Sequence, residues 1–378
     1  VSDWSLAFIA HEVHRRGGQE RAAAEVLSRV ARRTRVCVIA RACELTGVEW
    51  RRVGGPSRPA ILRTWAFARA AAAAERRAGC TISNSIGAAA RDADVITAQF
   101  CHAAFTARYG GLRGGSALGA AYQRVAQAQF VREERRAYGS RRLRLVIAVS
   151  RGTARELAEH YDVAPERIRI VPNGVDHAVF RPAPDAAARR ALRAALELPA
   201  DAFLALFVGG DWERKGVRDA IDAVAATPDV HLVIVGRGNA AAMLAHAVRA
   251  GAAGRVHVRP PSPAPERFYA AADAFVFPSR YEAFSLVTLE AAASGLPIVC
   301  HAVNGTEELV ADGVNGWLVP FGPDAIAARL RTLRDDPELR ARMSAAAVTA
   351  SEPYAWDTVA AAYFAALEEA VRAGPGAA

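Results

Sequence analysis

The sequence predicts an α/β protein of two domains, each a parallel sheet wrapped by helices. Three observations carry this. The chain has 378 residues, and a single core stops growing at roughly 250–300. Short apolar runs alternate with Ala-rich stretches of helical length, the pattern of parallel strands joined by crossover helices. The alternation is broken by a turn-rich run, Val171–Pro184, where Pro, Asn and Gly concentrate.

Taken in order, the first half predicts strands at Leu6–Ala10, Val36–Ala40, Val95–Phe100 and Leu145–Ser150, and helices at Gln19–Arg32, Ile61–Ala78 and Tyr122–Ala137. The second half predicts strands at Phe203–Val208, His231–Val235, Val256–Arg259, Ala274–Pro278 and Pro297–Cys300. Its helices are expected at Val217–Ala226, Ala240–Ala250, Pro265–Ala271 and Leu286–Ala293. A last helix, Trp356–Ala373, follows Ser351-Glu352-Pro353, where the proline stops the helix before it.

Apolar residues make up 52% and charged residues 23% of the chain, which excludes general disorder. No run of about 18 apolar residues exists, so no spanning helix is expected. The first residues lack a basic start followed by an apolar run, so a cytoplasmic location is expected. The five cysteines are scattered without metal-like spacing and are expected to be reduced and structural.

Charge is unevenly spread. Up to Phe180 there are 29 basic and 16 acidic side chains, a net of +13; beyond it there are 19 and 23, a net of −4. The excess in the first half points to an anionic partner: a membrane surface, a phosphorylated acceptor or nucleic acid. Within it, Arg108–Arg144 opens on a Gly-rich loop (Gly110, Gly111, Gly114, Gly115) and continues as a basic, partly amphipathic segment with Tyr122, Phe130 and Tyr138. Such a helix can lie on an anionic membrane or simply turn its basic face to water. Of the 48 basic residues 47 are Arg, and Lys215 is the one lysine, which either marks a place that needs a compact ammonium or is a single residue kept by chance.

Four local patterns carry chemistry. In Pro278–Glu290 (PSRYEAFSLVTLE) a strand runs into a helix, with Glu282 just before it and Glu290 about two turns inside. Backbone N–H groups of Phe284, Ser285 and Leu286 at that helix start attract phosphate or sugar oxygens. Glu282 can accept hydrogen bonds from sugar hydroxyls or cap the helix; Glu290 can reach ribose hydroxyls or sit on the surface. In Gly209–Val217 (GGDWERKGV), Arg214 and Lys215 at a strand-to-helix turn can clamp a pyrophosphate in place of a divalent cation. Gly17-Gly18 after the first strand lets a ligand approach the backbone. His102 follows a strand at the sheet edge where open α/β sheets bind ligands.

Other patterns are weaker. Asp92-Ala93-Asp94 has the form of a metal-binding DxD but precedes its strand and reads as a loop. Gly236-Arg237-Gly238 follows a strand like a dinucleotide fingerprint, yet no acidic residue ends the next strand, which counts against an NADP oxidoreductase. His11-Glu12-Val13-His14 is one residue short of a zinc HExxH. The basic half lacks interleaved aromatics and any recognisable reader motif, so nucleic acid is not expected.

In combination and order, GGDWERKG, PSRYEAFSLVTLEAAASG, IRIVPNGVD and DGVNGWLV resemble the retaining, nucleotide-sugar-dependent glycosyltransferases of family 4, which have the GT-B fold. The resemblance runs from Gly17-Gly18 to the tail. It implies two Rossmann-like domains with a cleft between them: an acceptor domain at 1–180, joined by a returning C-terminal helix at 356–378, and a nucleotide-sugar donor domain at 181–355. It implies that Gly17 and Gly18 approach the donor diphosphate and that Gly210, Arg214 and Lys215 bind it. Glu282 and the residues Ala283, Phe284, Ser285 and Leu286 hold the donor, Glu290 the ribose, and His102 lies near the transferred sugar. His102, Arg214, Lys215 and Glu282 are thus the expected catalytic group.

The same resemblance implies no cofactor and no metal, with a nucleotide diphosphate sugar, UDP-sugar favoured, as co-substrate. The likeness is greatest to lipopolysaccharide core glucosyltransferases, which implies a glycan or glycolipid acceptor and a peripheral place at the inner face of the cytoplasmic membrane. A small soluble acceptor, a GT-B phosphorylase and a sugar-nucleotide epimerase are the alternatives. The family has glycines where this chain has Ala283 and Ser285, and the added side chains are expected to narrow the donor-sugar pocket.

Overall fold

The computed structural model describes residues 2–56, 60–109 and 117–374; the Gly110–Gly115 loop expected to open the basic segment lies outside them. The chain divides into one unit formed by Val1–Asn173 with Trp356–Ala378 and a second formed by Gly174–Ala355.

The first unit contains, in order, β1 (Ser5–Ile9), β2 (Glu12–Val13), α1 (Gln19–Val30), β3 (Arg35–Ala40), β4 (Ala42–Cys43), β5 (Glu49–Arg52), α2 (Ala60–Ala78), β6 (Ile82–Ile86), β7 (Val95–Ala98), α3 (His102–Tyr109), α4 (Ala117–Tyr138), β8 (Leu145–Ala148), α5 (Arg151–Tyr161) and β9 (Ile168–Ile170). Seven strands form a sheet in the order β5-β3-β1-β6-β7-β8-β9, parallel throughout. Strand order departs from β1 in both directions, so the gap between β1 and β6 is a topological switch point, where ligands bind at the carboxyl ends of strands.

Strand β6 was not expected, because its ISNSI sequence is polar in the middle. Ser83, Asn84 and Ser85 are nonetheless buried. Each finds partners: Ser83 donates to Asp94 at 2.8 Å, the Asn84 amide to Thr97 at 3.1 Å, and Ser85 accepts from the Ala90 N–H. A satisfied buried polar group carries little penalty, so the strand survives. The expected strand Leu145–Ser150 stops at Ala148; Ser150 instead caps α5, accepting from the Thr153 N–H at 2.9 Å.

The second unit contains α6 (Ala186–Ala195), β10 (Phe203–Val208), α7 (Val217–Ala225), β11 (Val230–Val235), α8 (Ala240–Arg249), β12 (Val256–Arg259), α9 (Glu266–Ala271), β13 (Ala274–Phe277), α10 (Leu286–Ala293), β14 (Ile298–His301), α11 (Thr306–Leu309), β15 (Gly316–Val319), α12 (Pro323–Asp335) and α13 (Pro337–Ser351). Its sheet runs β12-β11-β10-β13-β14-β15, again parallel. The switch point lies between β10 and β13. The strands are near-continuous apolar runs because helices cover both faces. Asp273, at the start of β13, ties α6 to the sheet by accepting from the Leu204 N–H at 2.8 Å and from Arg193 at 2.7 Å.

The last helix, α14 (Trp356–Ala373), packs in the first unit. Trp4 and Phe364 stack at 5.1 Å, and the Tyr363 hydroxyl lies 2.8 Å from that of Thr97 and donates to Asn84 at 3.0 Å. Among the described residues no helix is long and apolar enough to cross a membrane, and all five cysteines are free.

Candidate functional site

In the second unit, the loops after β10 and β13 meet at the switch point. Gly216 makes this possible. Its φ is +72°, and a Cβ there would stand 2.2 Å from the Pro278 carbonyl oxygen, so only glycine lets the two loops touch. The Arg280 N–H then bonds the Arg214 carbonyl at 3.0 Å. Arg214, Lys215 and Glu282 are brought together as a result. Nη1 of Arg214 is 3.0 Å and Nζ of Lys215 3.4 Å from Oε1 of Glu282, which also accepts from the Ser279 hydroxyl at 2.8 Å. Arg214 further binds Asp211 at 2.7 Å and donates to the Tyr281 carbonyl. The Lys215 ammonium lies 4.7 Å from the centre of the Phe277 ring.

The electrostatics are those of a charged cluster held ready. Burial pushes the Glu282 carboxyl up, but Lys215, Arg214 and the Ser279 hydroxyl outweigh it and hold it below the usual carboxylate range. Burial likewise works against the charge on Arg214, and Glu282 and Asp211 more than offset it. Two cations thus face two carboxylates, with Lys215 paired to Glu282 alone and Arg214 shared between Glu282 and Asp211.

Helix α10 begins at Leu286, and Ser285 is its cap, accepting from the Thr288 N–H. Glu282 is therefore not the cap, one of the two readings open for it. Among the described residues no acceptor meets the N–H groups of Phe284, Ser285 and Leu286. The Ser285 hydroxyl also accepts from Thr288 Oγ1 at 2.9 Å, so the extra oxygen at this position serves the helix. Glu290 is not on the surface, the other reading open for it: it is 3% exposed and takes the Tyr269 hydroxyl at 2.8 Å. Gly210 lies in the same loop as Arg214 and Lys215, a Cβ on it 3.7 Å from the Arg237 carbonyl oxygen.

The dinucleotide-like glycines have a packing role. A Cβ on Gly236 would stand 1.9 Å from the Gly209 carbonyl oxygen, and one on Gly238 2.2 Å from the Trp212 ring. Asn239 caps α8 through the Ala242 N–H at 3.0 Å. Asp94, of the DxD-like pair, is buried against Ser83, Arg142 and Arg144.

In the first unit, a cavity of about 500 Å³ opens at the switch point, lined by residues that include His11, Gln19, Arg41, Arg63, His102 and Glu134. His102 stands on its rim between Phe100 at 4.8 Å and Phe130 at 4.9 Å. Its Nδ1 is 2.7 Å from Oε1 of Glu134, and its backbone N–H donates to the other oxygen at 3.0 Å. The Tyr161 hydroxyl donates to the same carboxylate. With Nδ1–H so engaged, Nε2 is the ring nitrogen left to accept a proton or hydrogen bond. Gly17 (φ +85°) and Gly18 precede α1, whose Gln19 and Glu20 line the cavity; a Cβ on Gly18 would meet nothing within 4 Å.

Sequence reasoning missed His11, Arg41, Arg63 and Glu134. The His11 ring packs on Phe67 at 4.3 Å. Burial, then Arg63 and Arg41, lower its pKa to about 4, so it is neutral at pH 7. Arg41 donates to the Pro56 carbonyl at 3.0 Å, and neither it nor Arg63 has a carboxylate partner among the described residues. These residues are far apart in sequence; only the basic excess of the first half hinted at the two arginines.

Comparison with known proteins fits both halves. Residues 16–179 match the family model Glycosyltransferase Family 4, and residues 188–349 match Glycosyl transferases group 1. Each unit thus matches a glycosyltransferase family model. A D-inositol 3-phosphate glycosyltransferase of Thermobispora bispora is 41% identical over 243 residues, 59% of this chain and 56% of that protein. Its counterpart in Xylanimonas cellulosilytica is 39% identical over 246 residues, 61% of this chain and 58% of that protein. The match thus spans little more than half the length of these relatives. Among solved structures, WaaG, a glycosyltransferase involved in lipopolysaccharide biosynthesis, superposes with a TM-score of 0.79 at 23% identity, over 96% of this chain and 98% of that one. Anabaena HepE in complex with UDP-glucose gives 0.76 at 20% identity, over 97% and 99%. At such identities the likeness is one of fold, and the fold is GT-B.

Proposed function

We propose that this glycosyltransferase moves a hexose from a UDP-sugar to an acceptor hydroxyl, with retained anomeric configuration and without a metal. The observation that carries the reading is the gathering of Arg214, Lys215 and Glu282 beside the unpartnered N–H groups that open α10. The two cations and the N–H groups bind the diphosphate and stabilise the charge that grows on it as the glycosidic bond breaks. Glu282, held ionised, accepts from donor-sugar hydroxyls, and Glu290 from the ribose. His102, oriented by Glu134, contacts the transferred sugar in the acceptor unit, and Gly17-Gly18 leave room for the diphosphate. The bound donor of HepE and the names of the curated relatives support the donor class and the reaction.

The acceptor carries an anionic group. Arg41 and Arg63, which pair with no carboxylate among the described residues, are the groups that would meet it, in a cavity also lined by Glu12, Glu20, Glu133 and Glu134. The D-inositol 3-phosphate relatives, whose named acceptor bears a phosphate, agree with this.

A second reading, a phosphorylated glycolipid acceptor at the membrane surface, is favoured by a different observation. On the contacting helices α2 and α4, Leu62, Trp65, Tyr122 and Val125 are all exposed large apolar residues, and Arg69 lies 5.4 Å over the Trp65 ring. Lipopolysaccharide core is one such acceptor.

The deciding experiment is nucleoside diphosphate release from a panel of UDP-, GDP- and ADP-sugars in EDTA, with inositol phosphates and phosphorylated glycolipid vesicles as acceptors. Release from a UDP-sugar with an acceptor of either kind, abolished by Lys215→Ala, supports the reading and selects the acceptor. Donor binding absent for every nucleotide sugar would overturn it.

A further inference from the structure

The loop Ala302–Gly305 joins β14 to α11, beside the loop that carries Glu282, because β13 and β14 are paired with Phe277 opposite Cys300. It is tightly held. The Thr306 hydroxyl donates to the Val303 carbonyl at 2.6 Å and accepts from the Val303 N–H at 3.0 Å. Gly305 has φ +80°, and its Cβ direction points 2.9 Å from Cα of Phe284, so this loop lies in contact with the start of α10.

Asn304 stands at the apex of that turn. It is 5% exposed, and its Nδ2 is shielded from solvent with no hydrogen-bond acceptor. A buried donor without a partner is destabilising, and such a group calls for an explanation. In the adjacent loop the hydroxyls are already engaged: Ser285 with Thr288, and Ser279 with Glu282. Asn304 therefore holds an amide donor, fixed by a pinned turn that touches the start of α10 and unused by the protein itself.

We propose that Asn304 is a donor-binding residue that sets affinity and sugar choice: its Nδ2 donates to an oxygen of the bound nucleotide sugar. This rests on the nucleotide-sugar reading above. Two oxygens offer the same chemistry, a diphosphate oxygen and a sugar hydroxyl, and they are separable by ligand.

The test is calorimetric titration of the full chain with UDP, UDP-glucose and UDP-galactose, for wild type, Asn304→Ser and Asn304→Asp, with melting temperature measured in parallel. Asn304→Asp replaces a donor by a charged acceptor of equal size. It is expected to weaken UDP-glucose binding about 10–100-fold, since bonds to charged groups carry about 1.5–3 kcal/mol. Equal weakening for UDP and UDP-glucose identifies a diphosphate oxygen; weakening confined to the sugar nucleotides, with a changed glucose-to-galactose ratio, identifies a sugar hydroxyl. Wild-type affinities in both variants would overturn the proposal, whether or not the melting temperature moves. If wild type binds none of the three nucleotides, the nucleotide-sugar reading fails, and this proposal with it.

Discussion

Glu134 grips His102 from two sides: one carboxylate oxygen is 2.7 Å from Nδ1 and the other takes the His102 backbone N–H at 3.0 Å. The ring is thereby fixed in one tautomer and one orientation. Glu134→Gln keeps the shape but removes the charge that selects the tautomer. Turnover is expected to fall about 10–100-fold with the donor KM little changed, measured by steady-state sugar transfer. An unchanged kcat would show that the carboxylate serves only the fold.

Lys215→Ala is expected to lower turnover about 10²–10³-fold at saturating donor. Lys215→Arg is expected to recover little, because the ammonium fits between the Phe277 ring at 4.7 Å and Glu282 at 3.4 Å, and a planar guanidinium does not share that geometry. Single-turnover transfer at saturating UDP-sugar measures both variants; full activity in Lys215→Arg would remove the argument for a compact cation.

Gly216→Ala puts a methyl group 2.2 Å from the Pro278 carbonyl oxygen at a φ of +72°. The left-handed backbone alone costs about 1–3 kcal/mol, and the clash forces the two site loops apart. A lower melting temperature together with weaker UDP binding is expected. Loss of stability with unaltered UDP affinity would mean that loop contact does not shape the donor site.

Asp94 is 2% exposed and meets Arg142 at 2.8 Å and Arg144 at 3.2 Å. Burial raises its carboxyl, but Arg142 and the Ser83 N–H and hydroxyl outweigh that and hold it below the ordinary value. A depressed folded pKa adds stability above the unfolded pKa, near about 3.9, and that stability is lost as pH falls through the folded value. Asp94→Asn leaves Arg144 without its carboxylate while Arg142, 44% exposed, keeps Glu75 at 2.6 Å, and is expected to cost the first unit about 1–3 kcal/mol at neutral pH. Urea unfolding between pH 7 and pH 3 checks it: the wild-type midpoint should fall more steeply with acid than the variant's.

Legibility followed locality. Phe203–Val208, Val256–Arg259, Leu286–Ala293 and Trp356–Ala373 fold as their apolar patterns predict, to the residue. Arg214, Lys215 and Glu282 were visible because each sits in a short motif next to its own strand, and the switch point joins the two motifs. Strand β6 was hidden because its buried face is polar and is satisfied by residues from β7 and α14. The cavity of His11, Arg41, Arg63 and Glu134 was hidden because its members come from four separate segments. Glu134 was obscured further by the arginines around it, which made a buried carboxylate look like part of a basic surface.

The place of α14 has a consequence for how the protein is made. The second unit is one continuous stretch, Gly174–Ala355, whereas the first needs Trp356 onward to be whole. On the ribosome the inserted unit can finish before its host. Until Tyr363 emerges, the buried pair Asn84–Thr97 lacks the hydroxyl that bonds both, and Trp4 lacks the Phe364 ring beside it. At about 5–20 residues per second, that leaves the half-built sheet open for roughly 10–40 s after Asn173 is joined. The nascent chain is then at its most vulnerable to proteases and to pairing with its neighbours.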